Sequence, residues 1–270
     1  MSQNKNFLDI SIVLCGGAGQ GIQTVEHLLI RILKQSGLNV FATKEYMSRV
    51  RGGSNSTQIR LSDKPVQAPV ERIDLLIPLD QKAISHVEHR LDKQTMIVGD
   101  QEKIKPEREI IDIPFSEMAQ DIGSSIYANT IAVGFVMGLV EAELSHGEKY
   151  LKGYFKEKKE KIVQDNLQAL KKGYQEAEKL KEKGKIDTEK FASIKKSEKI
   201  EKDILINGAE AVGLGAISGG CHFIASYPMS PSTGVLVFLS QHAREYGIIA
   251  EQAEDEIAAV NMSIGAWYAG

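Results

Sequence analysis

The sequence predicts an α/β protein. Its parts are an N-terminal doubly wound, Rossmann-like domain, a helical and charged linker, and the start of a second α/β domain. Three observations predict this. The apolar run Ile10 to Leu14 leads through the glycine-rich stretch Cys15-Gly16-Gly17-Ala18-Gly19-Gln20-Gly21 into an amphipathic segment, the order strand, turn, helix. Short apolar segments then alternate with helical ones as far as Glu143. After a stretch dominated by lysine and glutamate, the same alternation resumes at Leu205.

Composition narrows the function. The 270 residues are 42% hydrophobic and 26% charged, ordinary values for a folded chain with a proper core. With 33 Lys+Arg against 36 Asp+Glu, the net charge of −3 gives no general attraction to nucleic acid or to an anionic membrane, so any anion site must be local. The two cysteines, Cys15 and Cys221, stand apart from each other and from histidine clusters; they form neither a disulfide framework nor a metal site and read as small buried hydrophobes. Met1 to Asp9 holds no hydrophobic signal core, and Ile131 to Val140 is too short to span a bilayer, so a cytoplasmic protein is expected.

The first turn carries four glycines in the six positions 16–21, which free the backbone to take positive φ and clear the way to its amides. Such a turn at a helix start can cradle a phosphate against the helix dipole. It is equally consistent with a tight turn packed under a sheet. Gly17-Ala18-Gly19-Gln20-Gly21 is one residue shorter than the dinucleotide fingerprint, and no Lys-Ser or Lys-Thr follows as in a Walker loop. The helix Thr24 to Gln35 stops at Ser36-Gly37, and Leu38 to Thr43 reads as the next parallel strand of a βαβ unit. Arg49-Val50-Arg51-Gly52-Gly53 is a second candidate anion site, since arginine pairs bidentately with phosphate or carboxylate; solvated loop charges are the alternative.

Strands are expected at Thr57 to Leu61, Ile73 to Leu79, Met96 to Gly99 and Ile110 to Pro114. A helix from Asp80 to about Leu91 carries His86 and His89, which lack zinc-pair spacing and read as surface histidines. Ser124 to Glu143 is apolar nearly all round and reads as a buried helix, with Asn129 a satisfied hydrogen-bonder inside it. From Glu148 one helix is expected to about Leu180, then a charged linker with little core. The expected divisions are 1–181, 182–203 and 204–270. In the last, Asn207 caps a helix over Gly208 to Ser218 and Cys221 to Ala225 is a strand. Tyr227 to Thr233 turns into the helix Gly234 to Tyr246, Ile248 to Ala250 is a strand, and a final helix reaches Gly270. Two strands make only half of a doubly wound domain, so the chain reads as cut off inside it.

Several stretches together resemble the 2-oxoacid:ferredoxin oxidoreductases, in the form whose γ domain is fused in front of the α subunit. They are Gly16 to Ile22, Arg49 to Asn55, Asn166 with Gly173-Tyr174, Tyr227-Pro228-Met229-Ser230-Pro231-Ser232-Thr233 and Gln252-Ala253-Glu254-Asp255-Glu256-Ile257-Ala258-Ala259. The last two are the specific ones. The resemblance implies an enzyme that decarboxylates a 2-oxoacid, by wording 2-oxoglutarate, with coenzyme A, and passes electrons to ferredoxin. It implies coenzyme A at Gly17, Ala18, Gly19, Gln20, Gly21, Arg49, Arg51, Gly52 and Gly53. It also implies the pyrimidine side of a thiamine diphosphate site at Tyr227, Pro228, Ser230 and Glu256, completed by a separate β subunit in a hetero-oligomer.

Glu256 is the implied activator of the cofactor, with Ile257, Ala258, Ala259 and Val260 expected to keep its carboxyl dry; the alternative is that Glu254, Asp255 and Glu256 merely suit a helix's first turn. Ser230 stands where many relatives have threonine and keeps the hydroxyl. Mg2+ and an iron–sulfur cluster are implied on partner chains, and no metal on this one, so the chain is expected to be inactive alone. An NAD-type regulatory or redox module, or an inactive assembly subunit, are the alternatives.

Overall fold

The structure, a computed structural model, describes residues 9–17, 20–45, 54–105, 108–187, 190–191 and 195–270. The chain divides into two compact units, Met1–Asp203 and Ile204–Gly270.

Unit 1 is built on a six-stranded sheet of β1 (Asp9–Gly17), β2 (Asn39–Glu45), β3 (Ser54–Ser62), β4 (Leu75–Pro78), β5 (Met96–Gly99) and β6 (Ile111–Asp112), in the order β2-β3-β1-β4-β5-β6. Strands β1, β4, β5 and β6 pair in parallel. The expected pairing of β2 beside β1 is not formed. Strand β3 lies antiparallel between them, with Leu14 opposite Thr57 and Thr43 opposite Gln58, so β2 runs in the direction of β1 but at the sheet edge. The alternation of side chains along β1 sends Ile10, Ile12 and Leu14 to one face and Val13 and Cys15 to the other. The first face is covered by α1 (Ile22–Gln35), whose Val25, Leu28, Leu29, Ile32 and Leu33 are buried. The second carries a smaller core under α2 (Gln81–Val87), which Asp80 caps by accepting the Ala83 N–H at 3.0 Å. Two short helices follow β5 and β6, α3 (Gln101–Ile104) and α4 (Phe115–Gln120).

The apolar helix is α5 (Ala128–Leu139), buried from Thr130 onward as expected. The single helix expected after it is instead two, α6 (Leu144–Tyr154) and α7 (Glu160–Glu182). The chain turns where Lys156 to Lys161 interrupts the apolar spacing. Because α6 carries the chain back, α5 and α7 run parallel, with Gly134 against Leu170 and Gly138 against Tyr174. Glycine lets the backbones touch. A Cβ at Gly134 would overlap the Leu170 carbonyl oxygen, one at Gly173 would overlap that of Ile131, and one at Gly138 would stand 2.7 Å from that of Tyr174. The Thr130 hydroxyl donates to Asn166 Oδ1 at 2.7 Å, pinning the register at the N-terminal end of the pair.

The segment expected to be a solvated linker is packed on unit 1. Ile186 and Phe191 are buried in its core, because the polar groups around them find fixed partners. Lys190 Nζ lies 2.9 Å from Asp74 Oδ1, the Ser197 N–H donates to the Gly37 carbonyl at 2.8 Å, and Lys34 Nζ donates to the Glu201 carbonyl at 2.7 Å. Glu201 belongs to a short helix, α8 (Glu198–Lys202), in which the segment ends.

Unit 2 has two parallel strands, β7 (Phe223–Ser226) and β8 (Ile249–Gln252). Its helices are α9 (Gly208–Ser218), α10 (Thr233–Tyr246) and α11 (Glu256–Ala269). Asn207 and Glu210 form a reciprocal capping box at the start of α9.

Gly173→Ala is expected to destabilise the chain by about 1–3 kcal/mol or more, because backbone on α5 cannot yield to the new methyl. Gly153→Ala, whose added Cβ meets nothing within 4 Å, should be neutral or stabilising by up to about 1 kcal/mol. Urea unfolding of both variants checks this, and equal midpoints would contradict the close contact.

Candidate functional site

The glycine turn closes on itself. The Gly17 N–H donates to Gln20 Oε1 at 2.8 Å and to Asp80 Oδ2 at 2.9 Å, so that amide is taken by the protein's own groups. Gly21 has φ +83°, and a Cβ there would overlap the Asn129 side-chain amide. A Cβ at Gly16 would stand 2.8 Å from Leu79 Cβ. These two glycines are therefore required by close approach inside the protein. Asn129 donates to the Gln20 carbonyl at 3.3 Å and ties the start of α5 to the turn. Ala18, Gly19, Arg49, Arg51, Gly52 and Gly53 lie outside the described residues.

Beside the turn a cleft of about 820 Å³ opens at the carboxyl ends of β1, β4 and β5, where ligands of open α/β sheets bind. Gln20, Gly21 and Thr24 line it from the start of α1, Ser125 to Thr130 from the start of α5, and Ile162 and Asn166 from the first turns of α7. Three helix N-termini thus converge on one space, a setting that favours an anion. Lys103 and Lys158 add cations. Sequence reasoning missed Lys103, Tyr154, Phe155 and Lys158, which reach the cleft from α3, α6 and the turn after it; only the position of Lys103 just beyond a strand's carboxyl end was a usable signal.

His86, expected at the surface, is mostly enclosed, its Nε2 3.4 Å from Glu45 Oε2. Burial, reinforced by the nearby charges of Asp80 and Glu45, pushes the Cys15 thiol up to about 12.

In unit 2, Ser226 pairs with Gln252 and the Ala253 N–H donates to the Ser226 carbonyl at 3.1 Å. Tyr227-Pro228-Met229-Ser230 and Glu254-Asp255-Glu256 therefore leave the sheet side by side at the carboxyl ends of β7 and β8. The first segment turns back through Ser232, whose hydroxyl donates to the Met229 carbonyl at 2.8 Å. Asp255 caps α11 by accepting the Ala258 N–H at 2.7 Å. Glu256 follows it, exposed. The dry setting expected for its carboxyl is absent within this unit, since Ile257 and Val260 are themselves 76% and 58% exposed.

The pyruvate ferredoxin/flavodoxin oxidoreductase family model matches residues 11–176, and the pyruvate flavodoxin/ferredoxin oxidoreductase, thiamine diphosphate-binding model matches residues 214–270. A 2-oxoacid:ferredoxin oxidoreductase subunit alpha of a Sulfolobus species is 22% identical over 97% of this chain and 48% of its own length. A 2-oxoglutarate synthase subunit KorA of Archaeoglobus fulgidus is 42% identical over 24% of this chain and 19% of its own. The structure of 2-oxoglutarate:ferredoxin oxidoreductase from Magnetococcus marinus, with 2-oxoglutarate, coenzyme A and succinyl-CoA bound, superposes with a TM-score of 0.85 at 26% identity, over 97% of this chain and 46% of that one. The chain spans about half the length of the Sulfolobus and Magnetococcus relatives.

A thiol reacts as its thiolate. In the folded chain at pH 8, iodoacetamide is expected to modify half-buried Cys221 and leave Cys15 untouched, with both modified in urea. Mass spectrometry reads this, and equal labelling in the folded chain would contradict the burial of Cys15.

Proposed function

Because the chain belongs to the pyruvate ferredoxin/flavodoxin oxidoreductase family, we propose that it is a subunit of a 2-oxoacid:ferredoxin oxidoreductase that converts a 2-oxoacid and coenzyme A to acyl-CoA, CO2 and reduced ferredoxin. Unit 1 binds coenzyme A, and unit 2 contributes the pyrimidine side of a thiamine diphosphate site completed by a β subunit. That partner carries Mg2+ and the iron–sulfur cluster. The relatives named for 2-oxoglutarate support that acid as the substrate. The observation that carries the reading is the emergence of Tyr227 to Ser230 and Glu254 to Glu256 side by side at the ends of β7 and β8.

Thiamine diphosphate, when bound, stabilises the negative charge left at the carbonyl carbon by decarboxylation. The residues of this chain fit one side of it. Glu256 would hydrogen-bond the aminopyrimidine of the cofactor and favour its activation, while Tyr227, Pro228 and the Ser230 hydroxyl would line the neighbouring turn. Glu256 is exposed in unit 2, so the apolar contact that would shield its carboxyl comes from protein outside this unit. In unit 1, the convergent starts of α1, α5 and α7 receive the phosphates of coenzyme A.

Calorimetry is expected to show coenzyme A binding to this chain and a loss of at least about tenfold in Gly21→Ala, whose methyl displaces Asn129 from the turn. No binding by the parent would refute the assignment.

In the complex with the β subunit, Glu256→Gln is expected to slow exchange of the C2 proton of bound thiamine diphosphate by about 100-fold or more. Glu254→Gln and Asp255→Asn should leave it near normal. Normal exchange in the Glu256 variant with loss in a neighbour would transfer the role to that neighbour.

A further inference from the structure

Glu254, Asp255 and Glu256 follow β8 directly, and the structure treats these neighbouring acids differently. All are exposed, yet Asp255 is tied back into the chain. Its backbone is extended, with φ −152° and ψ 174°, which turns its carboxylate over the first turn of α11, where Oδ1 accepts the Ala258 N–H at 2.7 Å. Its own carbonyl accepts the Ala259 N–H at 3.1 Å. On the other side Ala253 is buried and its N–H donates to the Ser226 carbonyl, so the chain is also held where it leaves the strand. Glu256 is thus bracketed by fixed points. Packing does not supply them: α11 has no buried residue within unit 2, whereas α2, whose Asp80 cap is of the same kind, also buries Ala83 and Val87. With no apolar anchor in its first turn, the start of α11 depends on the cap, and loss of such an acceptor shifts a helix start by a factor of about 3 to 30.

We propose that Asp255 is a positioning residue for Glu256: its cap fixes the first turn of α11, and with it the direction in which the Glu256 carboxyl leaves the backbone. The proposal rests on the reading that Glu256 activates thiamine diphosphate, and it assigns Asp255 a part that needs an acceptor oxygen and not a charge. A carboxyl that must meet one atom of a cofactor depends on supporting bonds of this kind, since a misplacement of about 1 Å can cost about 100-fold in rate.

The experiment measures exchange of the C2 proton of thiamine diphosphate, at saturating cofactor in the complex with the β subunit, for Asp255→Ala, Asp255→Asn, Glu256→Gln and Asn207→Ala. Amide hydrogen exchange of Ala258 is measured in the chain alone. Asp255→Ala is expected to slow C2 exchange about 3- to 30-fold and to speed Ala258 amide exchange by a similar factor. Asp255→Asn, which keeps the acceptor oxygen, should rescue both. Asn207→Ala removes the corresponding cap from α9 and should leave C2 exchange unaffected. A loss there as large as in Asp255→Ala would make the effect one of general stability and overturn the proposal. Unchanged C2 exchange or unchanged Ala258 amide exchange in Asp255→Ala, or failure of Asp255→Asn to rescue, overturns it too. If Glu256→Gln still loses C2 exchange in those cases, the catalytic reading of Glu256 stands. Normal C2 exchange in Glu256→Gln overturns that reading and the proposal with it.

Discussion

The direct backbone contact of α5 with α7 is the constraint on which the rest of unit 1 depends. Gly134, Gly138 and Gly173 remove the side chains that ordinarily hold two helices apart, so the carbonyls of one helix lie against the other. Because the helices run parallel, this contact brings both of their N-termini to the same end of the molecule. Thr130 and Asn166 then fix which residues face each other there. A shift of register would leave these buried polar groups unpaired, and that makes the register specific.

From that end, Asn129 reaches the carbonyl of Gln20 and presses against Gly21. The turn after β1 is thereby held by α5 as much as by its own glycines. Asp80 performs the complementary task from the other side, since one carboxyl oxygen caps α2 and the other accepts the Gly17 N–H. The open space lies beside these contacts, toward Thr24 and the start of α5.

Both units place the residues proposed to bind ligands beyond the carboxyl ends of parallel strands. In unit 1 these are the ends of β1, β4 and β5; in unit 2 they are the ends of β7 and β8. Helices that follow such strands start there, so their free amides and positive dipole ends point to the same space. The strap formed by Ile186, Phe191 and Lys190 lies apart from this end, against Asp74 just before β4, and its role in the fold is packing.

Local signals in the sequence determined the elements themselves. The strand, glycine turn and helix at Ile10 to Gln35, the buried helix around Phe135, and the capped helix after Asn207 all follow from periodicity and capping, which act between residues a few positions apart. The motif at Asn166 and Gly173-Tyr174 was visible too, but its reason was not: Gly173 and Asn166 matter because of Ile131 and Thr130, which lie far from them along the chain. Tertiary structure alone decided that β3 enters between β1 and β2, since strand neighbours are chosen by pairing across the sheet. It also decided that a lysine-rich segment packs as a strap, because its two apolar residues find a core while Lys190 finds Asp74 and the Ser197 amide finds Gly37. The cleft belongs to the same class, for Gln20, Lys103, Asn129 and Tyr154 have no common pattern along the chain and meet only when the helices that carry them converge.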